Sequence, residues 1–189
     1  MKEQEFLEKL ISGDQSAFKD FFDEYSSMVF NVCCRMLGNR HESEDITQDV
    51  FINAFKSIKN FRSDSKLSTW LYRIAVNHCL NYQSRKKRNK WLSFEVFSTT
   101  NNENIPEPLS NDNLPDILIE KKEAEIIIQK AINSLPEPQR VALLLHRYEE
   151  LSYEEIAKVM ECSVSAVESR IFRGKQNLCK ILLPYLNQL

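Results

Sequence analysis

The chain is expected to be all-α: two small helical domains joined by a flexible acidic linker, the C-terminal one holding a helix-turn-helix. Three observations carry that expectation. Glycine occurs only three times in 189 residues, and strand-like alternation of apolar and polar residues is scarce. The periodic stretches are filled mainly by Leu, Glu, Lys, Ile and Ala, a set weighted toward helix formers. Between residues 93 and 116 the pattern breaks, with three prolines, clustered Asn and Ser, and acids without a base. That interval reads as the linker between an N-terminal domain (1–92) and a C-terminal domain (117–189).

The N-terminal domain offers four helices. The first covers 3–12. The second, 16–37, carries Phe18, Phe21, Phe22, Tyr25, Val29 and Val32 at helical spacing. It stops at Gly38-Asn39, where glycine can take the left-handed conformation of a helix end. The third, 43–59, sets Ile46, Val50, Phe51, Ala54, Phe55 and Ile58 on one side. The fourth, 68–88, splits into two faces at about 100° per residue. Leu71, Ile74, Ala75, His78, Cys79 and Tyr82 form the core side, with Trp70, Arg73, Asn77, Asn81, Ser84 and Arg88 opposite.

The C-terminal domain begins with a helix over 117–133, breaks at Leu135-Pro136 and continues over 137–149. Then comes LSYEEIAKVMECSVSAVESRIFRGKQNL, residues 151–178. Ser152 and Glu155 make a capping box that starts a short helix buried through Ile156, Ala157 and Met160. Glu161, Cys162 and Ser163 form a corner. Ser163 can cap a second helix, with Val164, Val167 and Ile171 facing inward. Ala157 is small enough for a close helix crossing, and Arg170, Arg173 and Lys175 make the second helix basic. This is the helix-turn-helix arrangement, in which the start of the second helix meets base edges. The plainer alternative is an αα-hairpin in a bundle.

Composition narrows the function. With 42% hydrophobic and 28% charged residues, the chain is globular rather than disordered. No apolar run approaches the roughly 20 residues of a membrane span, and the N-terminus lacks a signal-peptide core, so a cytoplasmic, nucleoid-associated protein is expected. The five cysteines form no CxxC pair, which argues against zinc and for free, mostly buried thiols. The net charge of −2 excludes indiscriminate coating of nucleic acid. Charge is nevertheless concentrated: from Phe61 to Trp91 there are eight bases (Arg62, Lys66, Arg73, Arg85, Lys86, Lys87, Arg88, Lys90) against Asp64 alone. Such a patch binds phosphate even in an acidic protein. The indole, amides, hydroxyl and guanidiniums on the polar face of 68–88 are groups that stack on bases and bond their edges; an ordinary solvated face is the alternative.

Together these residues resemble bacterial sigma factors of the extracytoplasmic-function group, over nearly the whole chain. EDITQDVFINAFKSIKNFR (44–62) is similar to that family's core-polymerase-binding helix, FRSDSKLSTWLYRIAVNHCL (61–80) to its promoter-melting segment, and 131–178 to its −35-reading domain. The resemblance implies a protein that binds core RNA polymerase and directs it to promoters, with no cofactor and no catalytic residue. It implies a pocket for unstacked −10 bases from Phe61, Arg62, Ser63, Asp64, Ser65 and Lys66, with Asn77 and Asn81 at the melted junction. Trp70 would stack there, and Arg73, Arg85, Lys86, Lys87 and Arg88 would hold phosphates. It implies −35 contacts from Ser163, Ser165, Ala166, Glu168, Ser169, Arg170, Arg173 and Lys175. Polymerase would be met by Glu44, Asp45, Gln48, Asp49 and Phe51. The family also implies an inhibitory anti-sigma partner, often membrane-bound.

Two residues depart from the family. Glu161 stands where glycine is common, and Glu168 where a basic or polar residue is common. Glu168 can accept from a cytosine amino group, pair with Arg140, Arg147 or Arg173, or support a cap from Ser165. Rival readings are an operator-binding regulator, a protein-only adaptor, and a metalloenzyme using His41, Asp45 and Asp49. The last suffers from His41 lying ahead of the expected helix start.

Overall fold

The computed structural model describes residues 2–61, 64–94 and 126–186. These form two compact units, one carrying the helices of the N-terminal half and the other those of the C-terminal half. All regular structure among the described residues is helical.

In the first unit, α1 (Lys2–Ser12) ends at Gly13, whose φ of 84° closes the helix. The Asp14 amide donates to the Lys9 carbonyl at 3.0 Å and the Gly13 amide to Leu10 at 3.1 Å, a Schellman pairing. Asp14 then accepts from the Ala17 amide at 2.9 Å and so caps α2 (Gln15–Leu37). Gly38, at φ 68°, ends α2 as its sequence position implies. α3 (Arg40–Ser57) begins three residues earlier than its apolar pattern indicated, because Arg40, His41 and Glu42 already lie in its first turn. A 3₁₀ turn, Ile58–Asn60, leads toward α4 (Leu67–Phe94). α4 continues past the expected end at 88 and takes in Ser93 and Phe94, assigned above to the linker. The rest of that linker, and the start of the helix expected over 117–133, lie outside the described residues.

α2 packs against α4 over Phe21, Val29, Val32, Cys33, Met36, Leu71, Ala75 and Cys79, and α3 adds Val50 and Ala54 to the buried core. An aromatic cluster closes one side: the Phe51 ring lies 5.7 Å from Phe21 and 4.7 Å from Phe22. Of the cysteines, all free, Cys33 and Cys79 are buried, Cys34 and Cys162 half-buried, and Cys179 exposed.

In the second unit, α5 (residues 126–133) leads through buried Leu135 to α6 (Glu137–Tyr148). α7 (Tyr153–Val159) starts with the expected capping box: the Glu155 amide donates to Ser152 Oγ at 3.2 Å, and Glu155 accepts from the Ser152 amide at 3.0 Å. α8 (Val164–Leu186) packs on α6 and α7. α8 lies close against α6 at Gly174. A Cβ placed there would come within 2.7 Å of Leu143 Cδ1. Beside it, Asn177 Nδ2 donates to Gln139 Oε1 at 2.9 Å.

Candidate nucleic-acid interface

In the first unit, the two-faced reading of α4 holds for most residues. Leu71, Ala75 and Cys79 are buried, while Ile74, His78 and Tyr82 are half-buried. Asn77, Asn81, Ser84, Arg85, Lys87 and Arg88 are exposed, and Arg73 is half-buried. Trp70 is a correction. It is only 7% exposed and packs against Phe61, ring centres 5.4 Å apart. Thr69, Tyr72 and Val76 are buried as well, so the first turns of α4 are enclosed on more than one side. A single apolar stripe read from spacing misses this. Trp70 therefore supports the loop ahead of α4 from beneath instead of presenting a stacking surface. In that loop Asp64 and Lys66 are exposed and Phe61 and Ser65 half-buried; Arg62 and Ser63 lie outside the described residues.

The basic run is not uniform either. The Lys86 ammonium is paired with the Glu42 carboxylate of α3 and sits 5.9 Å from the centre of the Tyr82 ring. Burial, and then Glu42, push the Tyr82 phenol above its ordinary range. Gln83 Nε2 donates to the Met36 carbonyl at 2.6 Å and ties α4 to the end of α2. Asn53 of α3 meets His78 of α4 at 3.0 Å and accepts from Ser57 Oγ at 3.3 Å.

On α3, Asp45, Gln48 and Asp49 are exposed, and Glu44 stands 3.8 Å from His41. Phe51 does not join them. At 4% exposure it belongs to the aromatic core, which corrects its assignment to a polymerase-facing surface. Phe55 is the reverse case. Expected inside, it is 49% exposed, edge-on to Phe18 at 4.9 Å. With Ile52 (52%) and Phe22 it makes an apolar patch beside the acids. Ile52 was the available signal, an apolar residue off the helix's inward stripe. His41 lies inside α3, but among the described residues no group of three His, Cys, Asp or Glu side chains is placed to hold a metal ion.

In the second unit, Ser163 caps α8 by accepting from the Ala166 amide at 3.2 Å, and its Oγ meets that of Ser165 at 3.1 Å. Val164, expected inward, is 40% exposed; Val167 and Ile171 are buried. Glu161, standing where glycine is common, adopts φ 49°, the left-handed conformation that glycine fills most easily. Arg170 turns back to that corner, and its Nη1 donates to Cys162 Sγ at 3.1 Å. It thus braces the turn instead of projecting outward. Arg140 is buried, and Nη1 donates to the Asn133 carbonyl at 3.4 Å; burial lowers its pKa, partly countered by Glu137.

Glu168, Ser169, Phe172 and Lys175 line an open groove of about 370 Å³, closed by Tyr153 of α7 and by Ile171. Phe172, 61% exposed, and Tyr153, braced by His146 at 5.2 Å, escaped the sequence reading. Phe172 was legible as an aromatic residue one position past the inward Ile171. Arg173 is exposed.

Residues 21–89 match the family described as Sigma-70 region 2, and residues 125–178 the family described as Sigma-70, region 4. The chain is 37% identical over 176 residues to the ECF RNA polymerase sigma factor SigW of Bacillus subtilis, covering 93% of this chain and 94% of that protein. It is 34% identical over 188 residues to the ECF RNA polymerase sigma-E factor of Escherichia coli, covering 100% and 98%. Its fold is similar to that of the sigma factor RpoE of Bartonella quintana, solved in complex with the anti-sigma factor NepR (TM-score 0.64, 23% identity, 87% of this chain and 96% of that one). It is also similar to CnrH, solved with the cytosolic domain of CnrY (TM-score 0.65, 21% identity, 94% of both). With two helical units, a helix-turn-helix, and relatives alike from end to end, the chain belongs to the extracytoplasmic-function sigma factors, which direct RNA polymerase to promoters.

Proposed function

We propose a division of labour among three surfaces. The acids Glu44, Asp45 and Asp49 of α3 and the amide Gln48, with the neighbouring patch of Phe22, Ile52 and Phe55, bind core RNA polymerase. The loop from Phe61 to Lys66 and the outer face of α4 take single-stranded −10 DNA. Asn77 and Asn81 bond base edges there, while Arg73, Arg85, Lys87 and Arg88 neutralise phosphates. Extruding a base costs a few kcal/mol, and pocket contacts offset that cost. The start of α8 reads duplex −35 DNA through Ser165, Ala166, Glu168, Ser169, Arg173 and Lys175.

The carrying observation is that each unit exposes its own polar, helix-borne face: the amide and guanidinium strip of α4, and the capped start of α8 with its groove. An operator-binding regulator has no use for the first. The chain supplies no catalytic group or cofactor; the chemistry is the polymerase's. A repressing partner of the anti-sigma class, such as the one bound to the similar RpoE fold, belongs to the same reading, as does a cytoplasmic location at the nucleoid.

The test is transcription with purified core polymerase and the full-length chain as the sole added factor. RNA starting at defined promoter positions is expected. No initiation on any template of a genomic promoter library overturns the proposal.

A further inference from the structure

We infer that Glu168 is a specificity-determining residue that selects cytosine in the −35 element by accepting a hydrogen bond from the base's exocyclic amino group. The inference rests on the proposed −35 reading of α8.

Two internal uses of this carboxylate compete with that role, a helix cap and an ion pair, and the structure makes neither. The cap at the start of α8 is completed by Ser163 and the Ala166 amide, with Ser165 turned to Ser163. Two guanidiniums are engaged elsewhere: Arg140 is buried on the Asn133 carbonyl, and Arg170 is folded onto Cys162. Among the described residues Glu168 makes no salt bridge to Arg140, Arg147 or Arg173. It is exposed at the groove that Ser169, Phe172 and Lys175 line, in the second turn of the helix.

A carboxylate without a partner, on a surface that approaches phosphates, weakens binding to every DNA sequence alike unless a base donates to it. An ionised carboxylate only accepts. In the major groove guanine offers N7 and O6 and thymine offers O4, all acceptors that repel it. Adenine's amino group sits beside N7, a second acceptor. Cytosine alone among the four bases presents a donor without an acceptor of its own. Any other base leaves Glu168 desolvated and without a hydrogen bond, so the same residue that attracts cytosine rejects its competitors. Phe172, one turn further along, shields this contact from water, and Lys175 beyond it offsets part of the repulsion between carboxylate and backbone.

The test uses a duplex library randomised over both promoter elements, transcribed by core polymerase with full-length wild type, Glu168→Ala or Glu168→Arg. Wild type is expected to enrich cytosine at one upstream position by about fivefold to tenfold. Glu168→Ala should flatten that position and raise affinity for duplex lacking the motif. Glu168→Arg should move the preference to guanine, with the rest of the motif retained. Identical motifs from all three proteins overturn the role of Glu168 and leave the sigma reading intact. Absence of initiated RNA with wild type overturns that reading and this inference with it. Glu168 is exposed, so both variants should melt with wild type.

Discussion

Lys86 on α4 closes onto Glu42 on α3, with the Tyr82 ring beside the ammonium. A base that the sequence places among phosphate ligands is thereby spent on fixing the angle between two helices. The Lys86 side chain is 60% exposed and that of Glu42 21%, so the pair contributes at most about 1 kcal/mol after solvent screening. Glu42→Gln should therefore lower stability only slightly. It should also free Lys86 for DNA and steepen the salt dependence of promoter binding by roughly one phosphate contact. Titrating holoenzyme affinity against salt for both proteins measures this. An unchanged slope would mean that Lys86 does not reach the DNA.

Trp70 gives a sharper contrast between packing and recognition. Buried against Phe61, it should cost about 3–5 kcal/mol of stability when cut to alanine. An exposed stacking platform would cost about 0.5 kcal/mol or less. Urea denaturation of the full-length chain decides between them. The loop that carries Phe61 should loosen in the variant, so promoter opening should fall even where the protein remains folded.

What could be read from the sequence, and what could not, follows from the range of the interactions involved. The Ser152–Glu155 box, the Ser163 cap and the left-handed residues at Gly38 and Glu161 are set within a few residues and were legible. So was the all-α class, because helical periodicity is local. Trp70, Phe51 and Phe55 were misplaced because their exposure depends on which neighbours cover a helix's flanks, and one apolar stripe cannot encode two covering partners. The charged site residues failed for a related reason. Lys86 and Arg170 are basic and lie on the expected faces, but their long side chains reach partners 44 and 8 residues away. Spacing reveals where such a side chain starts and not where it ends. Glu168 shows the converse. The sequence left several partners open, and packing removed the internal ones.

Gly174 lets α8 lie close against α6. A Cβ at 174 meets Leu143 Cδ1 at 2.7 Å and Cγ at 3.1 Å. Gly174→Ala should be close to neutral, because a methyl at the end of Leu143 can move and alanine gains about 1 kcal/mol of helix propensity. Gly174→Val adds branches that cannot be accommodated in this way and should cost about 1–3 kcal/mol. Thermal melts of both variants test the pair, and a valine variant as stable as wild type would show that the helices do not meet there.

The thiols should differ in reactivity by position. The thiolate is the reactive form, so exposure and ionisation both matter. Cys179 is exposed and should be alkylated first, followed by Cys34 and Cys162. Contact with Cys33, together with burial, pushes the Cys79 thiol upward. A thiol whose folded pKa is raised adds stability below its ordinary value near 9.0, and that contribution is lost as pH climbs through the folded pKa. Cys79 should therefore stay unlabelled at neutral pH until the protein unfolds. Mass spectrometry after timed alkylation checks the order. Early labelling of Cys79 would show that the α2–α4 core opens readily.

Glu161 offers the most direct test of the helix-turn-helix corner. Its φ is 49°, where the Cβ of any L-residue meets the following carbonyl at a cost of about 1–2 kcal/mol. The Cys162 amide donates to the Ala157 carbonyl at 3.0 Å, so the turn is locked in the form that glycine best fills. Glu161→Gly removes the strain but adds freedom to the unfolded chain, which costs about 0.4–1 kcal/mol. The net expectation is no change or a gain of up to about 1 kcal/mol, which for a domain of this size raises the melting point by a few degrees. Glu161→Ala keeps the Cβ and should stay at the wild-type value. Glu161→Val, branched at that atom, should melt lower than either. If glycine melted lowest of the three, the corner would not be left-handed at 161, and the approach of α8 to DNA would have to be redrawn from a different turn.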